Sequence, residues 1–485
     1  MNIIKDESLI PKKHKEQVST PPLKDGELAH TLERRHVVMI SMGGIIGAGL
    51  FVGASASIHA TGPAVLLSYV ITGLMIFFVM RMLGELVIER PEIGSFLNHI
   101  RRGMGHNVTF VLGWGYWLFW ISAIAAESIA GGEMLQHYMH IPPEYSFAAT
   151  MVLGPLLVIA MMLTNLFSVR GYGEFEFWFA LIKIVAIAAF IIIGGIALSH
   201  LFGFKTGSVS NIWSHHGFFP NGVIAIFTII PTVLFTVTGS EVATIAAAES
   251  DKPAENVAYA TRTIIFRIVA FYVVSIAIIL SIVPWDQVVP GISPFLMALQ
   301  AIKIPYASEI MEFTILIAIL SCLNSSIYAT SRTLFELAEY DDAPRWLIHT
   351  TSNGVPKRAI ITASVIGIAI SIASYISPSH TFSYLLSCAG SIILFVYIAI
   401  GLSQINVRKK MQTVNKLPIF QMWLFPYLSW ITVLSLAAVI VAMLFNDTSR
   451  AQIIITCLIL AIIGIIRIFT HKYSKTGEMK HSELK

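Results

Sequence analysis

Charge is scarce in this chain. Only 12% of its 485 residues are Asp, Glu, Lys or Arg, against 55% that are hydrophobic. A globular surface in water carries about 25% charged residues, so a soluble domain is excluded. Cysteine is scarcer still: Cys322, Cys388 and Cys457 all fall in apolar runs, which excludes a disulfide or zinc framework. Histidine and aspartate are present but wrongly placed for embedded chemistry. All fifteen His and all seven Asp lie in connections, tails or near the ends of apolar runs. A metal-dependent or membrane-embedded hydrolase gathers such residues at one depth, and no metal is expected. His137 and His140, three apart, read as a solvated pair. The opening stretch through Glu33 is polar and holds Pro21-Pro22, so it lacks the apolar core of a signal peptide. It is expected to be a disordered arm. Gly47-Ala48-Gly49 has no strand before it and no Lys-Ser/Thr after it, which removes a phosphate loop.

Long apolar sequence is what the chain has in abundance. Runs of about 20 residues, the length that crosses a bilayer, number twelve. They lie near 36–61, 63–88, 107–137, 146–167, 175–199, 222–249, 262–283, 309–337, 358–376, 381–404, 421–445 and 451–470. The fold class read from them is an all-α polytopic membrane protein with twelve transmembrane helices. With the amino terminus taken as cytoplasmic, 28 of the 32 Lys and Arg fall in the tails and the even-numbered connections. By the positive-inside rule both termini are then cytoplasmic. The net charge of +4 needs no nucleic acid to explain it. Lys205, Lys303 and Arg450 fall outside, and Lys183 is the basic residue placed clearly within a span.

Two runs carry their own interruptions. Gly43-Gly44-Ile45-Ile46-Gly47-Ala48-Gly49 puts four glycines in seven residues, each costing a helix interior up to about 1 kcal/mol relative to alanine. In a bilayer, freed backbone groups survive only when buried in protein or lining a cavity. The sixth run has Pro231 and then Phe235-Thr236-Val237-Thr238-Gly239-Ser240-Glu241, whose hydroxyls can re-satisfy the backbone. Interruptions five runs apart point to a LeuT-like five-plus-five inverted repeat with broken helices 1 and 6, and a site at the repeat interface.

Other polar residues fall within the apolar runs or at their ends. Glu127 is too deep for a connection; an intramembrane carboxylate is a functional candidate by default, and a hydrogen-bonded helix contact is the alternative. Lys183 lies six residues from Phe177, about 9 Å at helical rise, against roughly 15 Å to the midplane. It either snorkels to the inner surface or is a buried amine that binds and releases a proton. Arg81 and Glu85, four apart, read as a local ion pair or as part of an inner gate. Ser95–Gly103 reads as a short interfacial helix. Ser321-Cys322-Leu323-Asn324-Ser325-Ser326 suits close packing or the wall of a path.

These motifs together resemble the amino acid permeases of the amino acid-polyamine-organocation superfamily, most of all bacterial GABA permeases. The resemblance is carried by Arg35-His36, Gly43 to Gly53, Gly62-Pro63-Ala64-Val65, Arg81 to Glu85, Gly94-Ser95-Phe96, Gly173 to Trp178 with Lys183, Thr244 to Glu249, Ser321 to Ser325 and Ser403-Gln404. It implies a substrate carboxylate on the amides of Ala48 and Gly49, and an amino group facing the carbonyls of Ile45 and Thr238. Gly44, Gly47, Glu127, Thr236 and Gly239 line the same expected site, and Phe235 matches a covering aromatic. Lys183 matches a lysine that stands in place of sodium and links transport to protons; Glu241 is paired with it as a coupling candidate. Relatives usually read Phe-Ser-Phe-Met-Gly where this chain has Phe235-Thr236-Val237-Thr238-Gly239, which alters the pocket wall and with it the substrate.

The expectation is a proton-coupled importer of 4-aminobutyrate or a similar small amino or ω-amino acid, seated in the bilayer of a bacterial inner membrane. It needs no cofactor beyond the proton and works as a monomer or weak homo-oligomer. Its parts are a cytoplasmic arm (1–33), a transport core (34–404, repeats 34–199 and 222–404), two peripheral helices (405–470) and a tail (471–485). An amino acid exchanger is the second reading. A membrane receptor is the alternative of another class, disfavoured because neither tail is long enough for an output domain. An enzyme is not expected.

Overall fold

Four glycines in seven residues keep the first apolar run from continuing as one helix. In the computed structural model, α1 (Arg34–Gly43) stops there, and a π-helical turn over Gly49–Gly53 leads into α2 (Ala54–Thr61). Residues 26, 28, 31–44, 46–90, 95–200, 206–250, 252–374, 381–415 and 417–482 are described. Ile45, Gly94 and most of the 1–33 arm lie outside the described residues. The end of the arm that is described is docked: Leu32 is buried, and its amide donates to the Glu249 carbonyl at 3.1 Å.

Long helices follow: α3 (Val65–Glu89), the short α4 (Phe96–Met104), α5 (His106–Tyr138), α6 (Ser146–Phe167) and α7 (Val169–Leu198). A single turn, α8 (Asn211–Ser214), sits in the next connection. The sixth run is then divided into α9 (Ile224–Thr228), α10 (Ile230–Val237) and α11 (Val242–Ala248). α10 ends because Thr238 is extended and Gly239 takes φ 129°, a conformation open to glycine and strained for other residues. α12 (Pro253–Ile268) passes through a π-turn, Val269–Val273, into α13 (Val274–Ile282). The remainder is α14 (Pro294–Ile302), α15 (Ala307–Glu339), α16 (Lys357–Ser374), α17 (Thr381–Thr413), α18 (Tyr427–Met443) and α19 (Asp447–Ser482).

Among the described residues no element is a strand, and eight helical segments are long and apolar enough to cross a membrane. The bent Pro253–Thr263 and Phe266–Ile282 pair raises that to nine. The centre is α5, which packs on α15, α6, α17 and α16, while α1 packs on α7 and α3 on α12. Val152, Leu156, Val185, Ile192, Leu458 and Ile462 are exposed on α6, α7 and α19. In a bilayer lipid covers such faces at no cost.

The structure departs from several sequence expectations. Glu85 does not pair with Arg81. It accepts from Arg408 at 2.8 Å and from Gln404 at 3.0 Å, while Arg81 lies 3.9 Å over the Trp423 ring. Four-residue spacing permits a pair, but a buried carboxylate takes the partners that also desolvate with it. Arg267 and Arg332, counted as inner-connection charges, are buried in α12 and α15, where Arg267 donates to Ser41 at 2.9 Å and Arg332 pairs with Glu249 at 2.9 Å: partners on neighbouring elements let a charge lie within a helix that the charge count placed in a connection. The Ser95–Gly103 helix forms, but Phe96, Leu97, His99 and Ile100 are buried against α17 and α5 rather than at a lipid surface.

Candidate functional site

The broken ends of the first run face α5, and Glu127 is where they meet. Its carboxylate is buried and takes the Ala48 amide on both oxygens, at 3.2 and 3.1 Å. The amide implied for a substrate carboxylate is thus already engaged by a carboxylate of the protein. Gly47 permits this approach: a Cβ there would lie 2.6 Å from Glu127 Oε1 and 2.6 Å from Cys322 Cβ. A narrow gap of about 10 Å³ lies beside it, bordered by Gly44, Gly47, Gly49, Glu127, Phe235, Thr236 and Thr238, together with Phe119, Trp120, Ala123 and Cys322. That is room for about one water, so an amino acid fits here only when these walls move apart. Two positions interrupt this correspondence: Ile45 is outside the described residues, and Gly239 points its amide at Glu241 rather than into the gap.

Lys183 does not snorkel. It is fully buried on α7 and donates to the Ile46 carbonyl at 2.9 Å and to Ser321 Oγ at 2.8 Å. It therefore ties the break of the first run to α15. Ser321 in turn donates to Glu176, one face of α7 below Lys183, and Asn324 Nδ2 donates to the other oxygen of Glu176 at 3.3 Å.

Glu241 sits at the start of α11, within the second break. It accepts from Tyr116 at 3.2 Å, from Tyr397 at 3.0 Å and from the Gly239 amide at 3.2 Å. Three donors fully satisfy a buried carboxylate, so the break in the sixth run is pinned to α5 and α17. On α13's side, Tyr272 in the π-turn donates to the Thr236 carbonyl at 2.6 Å, capturing a group that the end of α10 frees.

Sequence reasoning missed Tyr397 and Glu176, and read Cys322 only as part of a stretch suited to packing or to the wall of a path. Glu176 had a signal: it precedes Lys183 by seven residues and so shares its helical face. Tyr397 had none, being one aromatic in an apolar run. No groups of three or more His, Cys, Asp and Glu suited to a metal occur among the described residues.

Comparison with known proteins places this geometry in context. The family model described as "Amino acid permease" matches residues 36–480. The chain is 41% identical over 443 residues to the gamma-aminobutyric acid permease of Bacillus subtilis, covering 90% of this chain and 92% of that one. It is 40% identical over 444 residues to a probable GABA permease of Pseudomonas aeruginosa, with the same coverage of 90% and 92%. It is also 36% identical over 461 residues to the aromatic amino acid transport protein AroP of Corynebacterium glutamicum, covering 93% and 97%. These relatives are transporters, not enzymes, and they carry different amino acids. A helical membrane protein with two interrupted runs meeting at a narrow gap, matched along nearly its whole length, is a member of the amino acid permease family.

Proposed function

We propose that the chain is a proton-coupled symporter that brings 4-aminobutyrate or a similar small amino acid into a bacterial cell across the inner membrane by alternating access. The observation that carries the coupling is Lys183, fully buried with its amine on the Ile46 carbonyl of the broken run. A buried cation at that joint makes the joint's geometry depend on whether the amine holds its proton. Substrate choice is supported by the two GABA permease relatives.

The reading includes twelve spans, a five-plus-five inverted repeat over 34–199 and 222–404, peripheral helices over 405–470, and both tails in the cytoplasm. The substrate lies beside the two breaks, where helix ends present opposite partial charges. Its ammonium meets Glu127 and the carbonyl ends; its carboxylate takes the amides of Ala48 and Gly49 as Glu127 turns aside. No cofactor takes part, and the unit is a monomer or weak homo-oligomer. Uptake of labelled 4-aminobutyrate into proteoliposomes under an acid-outside gradient, with a panel of competing amino acids, tests it. Concentrative uptake that follows the pH gradient is expected. Accumulation that follows sodium instead would overturn the coupling, and indifference to 4-aminobutyrate would overturn the substrate.

A further inference from the structure

Resting on the proton-coupled reading above, we infer that Glu176 is the proton acceptor for Lys183 and that the Ser321 hydroxyl relays the proton between them. The two groups are joined through a hydroxyl. Ser321 Oγ stands between them, accepting from Lys183 Nζ at 2.8 Å and donating to Glu176 Oε1. All three side chains are fully buried, so no water exposure competes with the path through the hydroxyl. Glu176 is also held for the purpose. Asn324 Nδ2 donates to its second oxygen at 3.3 Å, and Asn324 Oδ1 is itself fixed by Asn165 at 2.7 Å and Thr164 at 2.8 Å.

The step balances without any further reactant. An N–H bond of the Lys183 ammonium breaks as an O–H bond forms on Ser321, and the original Ser321 O–H bond breaks as one forms on Glu176 Oε1. An ammonium and a carboxylate become an amine and a carboxylic acid. Serine ends as it began. The neutral amine is a weaker donor to the Ile46 carbonyl, so transfer loosens the joint between α7 and the broken first run. Direction follows from the helix: Glu176 lies seven residues, about 10 Å, nearer the amino end of α7, the end that faces the cytoplasm in the proposed orientation.

Other titratable groups around the pair are few. Cys322 on α15 and Glu127 on α5 face Lys183, and Tyr172 on α7 itself faces Glu176. Further along α15, Arg332 is paired with Glu249. On α1, Arg35 and His36 engage Glu174, and α6, α13 and α14 carry no titratable side chain. Glu127 is occupied by the Ala48 amide, which leaves Glu176 as the acidic group connected to the amine through a hydroxyl.

The test uses the full chain in proteoliposomes, with labelled 4-aminobutyrate as probe, or the amino acid that the wild type takes up best. Two quantities are measured: counterflow exchange, which moves no net proton, and accumulation under an acid-outside gradient. In Ser321→Ala and Glu176→Gln the ratio of accumulation to exchange is expected to fall about a hundredfold, the scale of a lost positioned proton transfer. Ser321→Thr, which keeps the hydroxyl, is expected to restore it. If the Ala and Gln variants accumulate substrate as the wild type does, the relay is wrong while coupling stands. A wild type that ignores the gradient overturns both. Should Ser321→Ala lose exchange as well, the relay requires Ser321→Thr to couple and Glu176→Gln not to; any other pair of results overturns it.

Discussion

Gly47 has no room for even a methyl group, because Cys322 and Glu127 would each lie 2.6 Å from it. Gly47→Ala should therefore cost about 1–3 kcal/mol by overpacking and remove uptake while the protein still inserts. Gly49→Val makes the same test on the other wall, where a Cβ would already lie 3.1 Å from Thr236 Cα. Uptake at the wild-type rate in either variant would mean that the gap is not the substrate site. Glu127→Gln separates charge from shape, since the amide side chain can still accept from Ala48 but carries no charge. If the substrate ammonium meets this residue, KM should rise about tenfold, equivalent to 1.4 kcal/mol, with kcat little changed. Glycines that break an apolar run and a carboxylate in mid-run were legible in the sequence, because each is costly without a purpose. That Glu127 would rest on the Ala48 amide was not legible, since two residues 79 apart in sequence meet only through the packing of α5 on the broken run.

Elements show the same division. Each apolar run read from the sequence carries helix, while α4, α8 and α14 form between runs, and the ends do not coincide, because polar ends such as Pro253–Ile268 or the tail of α19 leave the apolar pattern and remain helical. The role of α4 was misread for a related reason: a strongly amphipathic helix suits a lipid surface and a groove between helices equally well. Its burial has a measurable consequence at His99. This ring is fully buried, its two nitrogens lack partners among the described residues, and burial, aided by Arg102, lowers its pKa from 6.5 to about 4. The folded state therefore favours neutral imidazole. Its contribution is intact above pH 6.5 and is lost as pH falls toward 4, by about 3 kcal/mol at the acid limit. Thermal unfolding in detergent should show an acid-side loss in that window that His99→Phe removes; an unchanged profile would count against the buried, neutral ring. At the second break, Tyr397→Phe should cost about 1.5–3 kcal/mol, the worth of a hydrogen bond to a charged group. Combined with Tyr116→Phe it should be non-additive, because both donate to Glu241. Additive losses in the double variant would show that the two tyrosines act separately.

At the scale of the molecule, one end of the bundle is closed by contacts that bind different parts together. Glu249, just past α11, pairs with Arg332 of α15 at 2.9 Å and accepts from Tyr328 at 2.8 Å, while its carbonyl holds Leu32 before α1. Arg35 and His36 of α1 engage Glu174 of α7. In the proposed alternating-access cycle these ties break together when the site opens to this end, and they would then set the balance between closed and open forms. Breaking one partner of a buried pair costs about 3–5 kcal/mol in the state that contains it, enough to move a closed protein most of the way to an open one. Glu249→Gln is therefore expected to favour the open form. Cys322 reports on this directly, since it is buried and borders the gap beside Glu127. In a Cys388→Ser, Cys457→Ser background, a thiol reagent applied from the cytoplasmic side should label Cys322 faster in Glu249→Gln than in the parent, and added substrate should slow it in both. Equal labelling rates, with transport retained, would mean that the Glu249–Arg332 pair holds the fold together and does not gate the path to the site.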